Sequence, residues 1–135
     1  MSRLASSARV LRRRLVQLEN DPAELIWLIR AMVLRGEREV VGDIGFHGPP
    51  DPEGMVEMGY NVAEPWRRRG FATEAALALS SWAAGQPGAR RLRASIAPDN
   101  APSLRVAAGL GLVEVGRQID EEDGEEIVLE RSFVE

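Results

Sequence analysis

Residues 67 to 73 read Arg-Arg-Arg-Gly-Phe-Ala-Thr: three like charges, a glycine, then a run that favours helix. A helix that begins here leaves its first amide N–H groups without intrahelical partners, and the axial dipole adds partial positive charge to them. Gly70 lets the backbone approach a ligand closely, Ala72 keeps the next turn narrow, and Thr73 adds a hydroxyl donor. Guanidinium groups beside such amides suit a doubly or triply charged anion of the phosphate type. The stretch is not a Walker loop, because the Gly-Lys-Ser/Thr ending is missing, nor a dinucleotide fingerprint, whose first two glycines are absent. From the turn alone, a helix start with its arginines in solvent is an equal alternative.

The elements around the turn must position it. Upstream, Val56, Met58, Tyr60 and Val62 alternate with Glu57, Gly59 and Asn61, the pattern of a half-buried strand. Downstream, residues 72–85 form a helix by composition, with Ala76, Leu79 and Ala83 on one side and Gly85 as its stop. Residues 89–98 read as a strand, and residues 100–111 as a helix with Asn100 as cap and Pro102 in the first turn. Two further strands, 112–119 and 126–133, flank an acidic turn. Before all of these, residues 25–34 and 38–48 read as a hairpin around Gly36, and a leucine stripe from Leu4 to Leu18 reads as an amphipathic helix. His47, the single histidine, falls in the loop after the second hairpin strand and can titrate near neutral pH. The order is helix, three strands, helix, strand, helix, two strands: one α+β domain over residues 1–135, with a mostly antiparallel sheet flanked by helices.

Composition narrows the chemistry. A chain of 135 residues with 44% apolar and 28% charged content supports one globular core. No apolar run approaches the length of a membrane span, and the first twenty residues lack the apolar block of a secretory signal. A net charge of −4 argues against a nucleic-acid partner. With no cysteine, disulfides and thiolate metal sites are excluded, no metal is expected, and a reducing cytoplasm is the default location. All 17 basic residues are arginine, so no lysine amine is available for covalent chemistry.

Two motifs in fixed order carry a family likeness. Arg67-Arg68-Arg69-Gly70-Phe71-Ala72 resembles the Arg/Gln-x-x-Gly-x-Gly/Ala signature of the GCN5-related N-acetyltransferases, the GNAT family. About thirty residues on, Asn100-Ala101-Pro102-Ser103 and the following Leu-Arg-Val-Ala resemble that family's Asn-x-x-Ser helix. The wording is nearest to the branch that acetylates ribosomal-protein N-termini, and the resemblance covers about residues 25 to 133.

The resemblance implies acetyl-coenzyme A as co-substrate and a primary amine as acceptor: a protein N-terminus, a polyamine-like metabolite or an antibiotic. It implies that the amides from Arg68 to Thr73, through Arg69, Gly70, Phe71 and Ala72, hold the pyrophosphate, with Arg67 leading the signature. It implies that Asn61, Val62 and Ala63 pair with the pantetheine arm like an added strand, and that Asn100 contacts that arm or holds neighbouring backbone. Glu57 takes the place of a base for the amine, direct or through water. Many members carry a tyrosine seven residues after the asparagine; here that position is Ala107, and the single tyrosine, Tyr60, stands elsewhere. Ser103 or water is then the proton donor. The fold also usually begins with a strand and one or two helices, yet only 24 residues precede Leu25. The expectation is a shortened N-terminal region and an acceptor side that is open or completed by another subunit, which makes a homodimer reasonable. Two other classes stay open: a coenzyme A-binding sensor or subunit without catalysis, and an adaptor that uses the two arginine triplets.

Overall fold

The computed structural model describes residues 12–13, 15–36 and 39–133. Helix α1 is described at residues 12–13 and 15–20; the rest of the leucine stripe lies outside the described residues. A 3-10 turn, Pro22–Trp27, follows, and then β1 (Arg30–Val33), β2 (Val40–Phe46) and β3 (Met55–Val62). After a second 3-10 turn, Glu64–Trp66, come α2 (Phe71–Ala84), β4 (Arg91–Ile96), α3 (Ala101–Gly109), β5 (Val113–Asp120) and β6 (Gly124–Ser132). The strands form one six-stranded sheet in the order β1-β2-β3-β4-β6-β5. Among the described residues only the β3–β4 pair is parallel; the other four pairs are antiparallel. Among the described residues no helix is long and apolar enough to cross a membrane.

One expected strand is shorter than its sequence suggests. Residues 25–34 read as a single strand, but β1 begins only at Arg30, because Asp21 accepts a bond from the Ala23 amide and starts a 3-10 turn through Pro22. Leu25 and Ile26 are exposed, whereas Trp27 and Leu28 are buried. Trp27 packs on Phe46 and Trp82, with ring centroids 5.7 and 4.9 Å away, and anchors the turn.

Two features of the sheet matter for the site. The core packs α2 and α3 against one face through Ala76, Leu79, Ala83, Ala107 and Leu110, on Val56, Met58, Leu92 and Ile96. The β3–β4 ladder is brief: it pairs Met55, Val56 and Glu57 with Arg91, Leu92 and Arg93 and then stops. Beyond it β3 runs on to Val62 and β4 to Ile96 without pairing to each other. The sheet therefore opens in its middle, on the side where α2 and α3 begin.

Candidate active site

The opening is a cleft of about 510 Å³. Its walls are the end of β3 (Tyr60, Asn61, Val62), the turn into α2, and the first turns of α3. Each wall supplies a different kind of polar group.

The turn supplies amides. Gly70 caps α2 at φ 81°, ψ 4°, a left-handed conformation that glycine adopts without strain, and no side chain caps the helix. The first bond of the ladder runs from the Glu74 N–H to the Gly70 carbonyl at 3.0 Å. The amides of Phe71, Ala72 and Thr73 therefore stand outside the ladder, at the positive end of a 14-residue helix. Phe71, Ala72 and Thr73 all line the cleft.

The arginines divide. Arg67 and Arg68 line the cleft. Arg67 gives its Nε–H to the Val62 carbonyl at 3.0 Å, which ties the turn to the end of β3. Arg68 has φ 64° without being glycine. Arg69 is not on the cleft wall; its guanidinium lies over the Trp66 ring, 5.1 Å from the centroid. A third cleft arginine comes from α3: Arg105.

The strand supplies an open edge. The Ala63 N–H donates to Val41, and the Glu57 carbonyl accepts from the His47 N–H, so alternate residues from Glu57 to Ala63 aim their backbone groups at β2. Tyr60 and Val62 then aim theirs at the gap where β4 has parted. Of the three residues expected to present this edge, Val62 faces the gap; the Asn61 and Ala63 backbones are turned to β2. Asn61 still lines the cleft, and Ala63 does not.

Helix α3 supplies the opposite wall. Asn100 caps it through a bond from the Ser103 amide to Oδ1, 3.3 Å, and both residues line the cleft. Tyr60 reaches across to this helix, its hydroxyl donating to the Ser103 carbonyl at 3.2 Å. Burial pushes the Tyr60 phenol above its ordinary pKa, while the Ser103 side chain works in the opposite direction.

Glu57 stands apart from the cleft wall, at the last β3–β4 pair, opposite Arg93. His47 Nδ1 is 3.5 Å from its carboxylate. A Cβ on Gly59 would lie 3.2 Å from His47 Nε2, so the imidazole lies over the bare backbone beside Glu57. Sequence reasoning set aside Tyr60 and missed Trp66, Pro102, Arg105 and Val106 as cleft residues. A signal existed for two of them. Tyr60 shares its strand face with Val62, and Val106 lies three residues after Ser103 on one helix face.

The family model for the acetyltransferase (GNAT) domain matches residues 2–113, and the chain belongs to that family. The Bacillus subtilis (strain 168) protein YjdG, itself called an uncharacterized N-acetyltransferase, is 36% identical over 87 residues, 64% of this chain and 50% of that protein. The chain thus spans about half the length of that curated relative. A putative ribosomal-protein-serine acetyltransferase from Vibrio cholerae superimposes with a TM-score of 0.76 at 20% identity, covering 98% of this chain and 76% of that one. RimJ of Mycobacterium smegmatis, solved in complex with CoA-disulfide, gives 0.67 at 22% identity over 77% and 53% of the two chains. The two structural likenesses show the same fold, with ribosomal-protein acetyltransferases among its members.

Proposed function

We propose that the chain transfers the acetyl group of acetyl-coenzyme A directly to a primary amine, with both substrates bound together. The observation that carries this reading is the row of uncapped amides at the start of α2, open to a cleft whose other wall is an unpaired strand edge. Family membership and a neighbour solved with a coenzyme A disulfide support it.

In this reading the diphosphate sits on the amides of Phe71 to Thr73, with Arg67, Arg68 and Arg105 around it. The pantetheine amides pair with the gap-facing groups of β3, as an added strand would. That arm then runs from Val62 toward Glu57, the end of the β3–β4 ladder. Asn100 holds the turn of α3 that closes the other side. The amine attacks the thioester carbonyl, a C–N bond forms and the C–S bond breaks. An alkyl amine is mostly cationic at neutral pH, so Glu57, directly or through water, takes its proton. The thiolate receives a proton from a hydroxyl on the wall, such as Ser103, or from water. The acceptor is a protein N-terminus or a small-molecule amine, approaching on the Glu57 face of the sheet.

Calorimetric titration of acetyl-coenzyme A into the wild-type protein and Gly70→Val, followed by coenzyme A release over a panel of amines and peptides, tests this. Wild-type binding and turnover are expected, with binding lost in a variant whose circular dichroism is unchanged. Acetyl-coenzyme A that fails to bind the wild-type protein sinks the reading, and binding without turnover on any amine reduces it to a coenzyme A-binding module. Glu57→Gln is expected to lower turnover about 100-fold and leave acetyl-coenzyme A affinity unchanged.

A further inference from the structure

We propose that the His47 imidazole takes the proton of the acceptor amine, with Glu57 holding the ring in place from its other nitrogen. The proposal rests on the acetyl-transfer reading of the cleft, and it puts a side chain where that reading lets Glu57 act through water.

Both backbone groups of His47 are bonded. Its N–H donates to the Glu57 carbonyl at 2.8 Å, and its carbonyl accepts from Gln17 Nε2 of α1 at 2.7 Å. The side chain then lies along β3. Nδ1 is 3.5 Å from the Glu57 carboxylate, and Nε2 lies over Gly59, 3.2 Å from where a Cβ would stand. Glycine at 59 is what admits the ring. The imidazole therefore spans from Glu57 to Gly59, two residues further along the strand. The β3–β4 ladder ends at Glu57, so Nε2 stands beside the start of the gap, whereas the carboxylate stands at the last closed pair. An arm running from Val62 toward Glu57 brings its thioester to the level of Nε2.

The chemistry of the pair suits the task. A carboxylate on Nδ1 keeps the ring proton there, leaves the lone pair on Nε2, and stabilises the imidazolium that forms. An imidazole ordinarily ionises at about pH 6.5 and a side-chain carboxyl at about 4, so the imidazole is the better-matched base at neutral pH. The other charged groups around the ring are otherwise engaged or acidic. Arg93, opposite Glu57 on β4, is bonded to Glu130 of β6 at 2.6 Å. Glu24, in the first 3-10 turn, shares Gln17 with the His47 carbonyl. Asp51, in the loop that follows, accepts from the Glu53 and Met55 amides, and Asp43 lies four residues back on β2. Apart from Arg93 these are acids, which favour an imidazolium over a neutral ring. The His47 side chain is half exposed, so its proton has a way out to water.

The step balances. Nε2 takes a proton from the bound ammonium, and the freed lone pair forms the C–N bond at the thioester carbonyl. The C–S pair leaves with sulfur. That sulfur takes up, through water or a wall hydroxyl, the second proton that nitrogen sheds as the amide forms. The imidazolium then releases its proton to solvent.

His47 is the chain's single histidine, so its imidazole C2–H resonance reports it alone in a proton NMR titration. Glu57→Gln removes the counter-charge, and the imidazole midpoint is expected to fall by about half a pH unit or more relative to wild type. An unchanged midpoint overturns the proposal. Kinetics on an acceptor found in the amine panel supply a second readout. His47→Gln is expected to lower kcat about 100-fold at unchanged acetyl-coenzyme A affinity, and to remove the acid limb expected near neutrality in the wild-type kcat profile. A retained kcat and limb in His47→Gln, beside a slow Glu57→Gln, return the step to Glu57; they overturn the proposal and leave the acetyl-transfer reading standing. A wild-type protein that turns over no amine overturns both together.

Discussion

Arg67 bonds the Val62 carbonyl, Arg68 holds φ 64°, and Arg69 covers Trp66, so three identical neighbours are committed differently. Like charge is tolerable here because one guanidinium is drawn onto a ring and the other two line a cleft that suits an anion. Charge-assisted contacts of this kind contribute about 1.5–3 kcal/mol each. Arg67→Ala and Arg68→Ala are therefore expected to weaken acetyl-coenzyme A binding at least tenfold each, and Arg69→Ala by less than threefold. Calorimetric Kd values at two salt concentrations check this; equal losses at all three positions would contradict the division. The motif pointed to the turn, but the sequence could not separate the three arginines. That separation depends on φ at Arg68 and on where the Trp66 ring lies, and neither is a property of a string of identical residues.

At the scale of elements, α2 and α3 were legible because their signals are local. Gly85 stops α2, and Asn100 caps α3 as its type and the following proline suggest; that Gly70 caps α2 came from its backbone conformation. The run from Leu25 to Leu34 was misleading because its apolar residues serve two purposes, an anchored turn and then a strand. The bridging segment crosses β2 closely: a Cβ on Gly45 would meet the Leu28 carbonyl oxygen at 2.7 Å. Gly45→Ala is expected to destabilise the fold by about 1–3 kcal/mol in urea, since backbone must move to admit the methyl. Across the sheet, Glu130 is buried and bonded to Arg91 at 2.7 Å and Arg93 at 2.6 Å. Removing both arginines strands a buried carboxylate, and the double alanine variant is expected to lose about 3–5 kcal/mol. Glu130→Gln, which leaves two arginines with access to water, is expected to cost about 1–2 kcal/mol. This ion triad was not visible in the sequence, because it depends on the β4–β6 register that sets Arg93 opposite Glu130.

For the molecule as a whole, composition acquires a use that its individual residues lack. The chain has no lysine and no cysteine, and its basic residues are arginines that stay charged. Tyr60 is therefore the single side chain that titrates between about pH 8 and 12. Its folded pKa lies above the ordinary 10.0 because burial disfavours the phenolate. In the window between the two values the unfolded chain has lost the proton and the folded chain has kept it, so the unfolded state is favoured as pH rises. Stability from this group is complete below the ordinary value and is lost as pH climbs through the folded one. Urea midpoints measured from pH 8 to 11 are expected to hold level and then fall. In Tyr60→Phe the neutral-pH midpoint drops by the loss of one hydrogen bond, and the alkaline fall flattens. An unchanged alkaline fall in that variant would mean that the phenol is not the group withheld from ionisation, and that the bridge from β3 to α3 is open in solution.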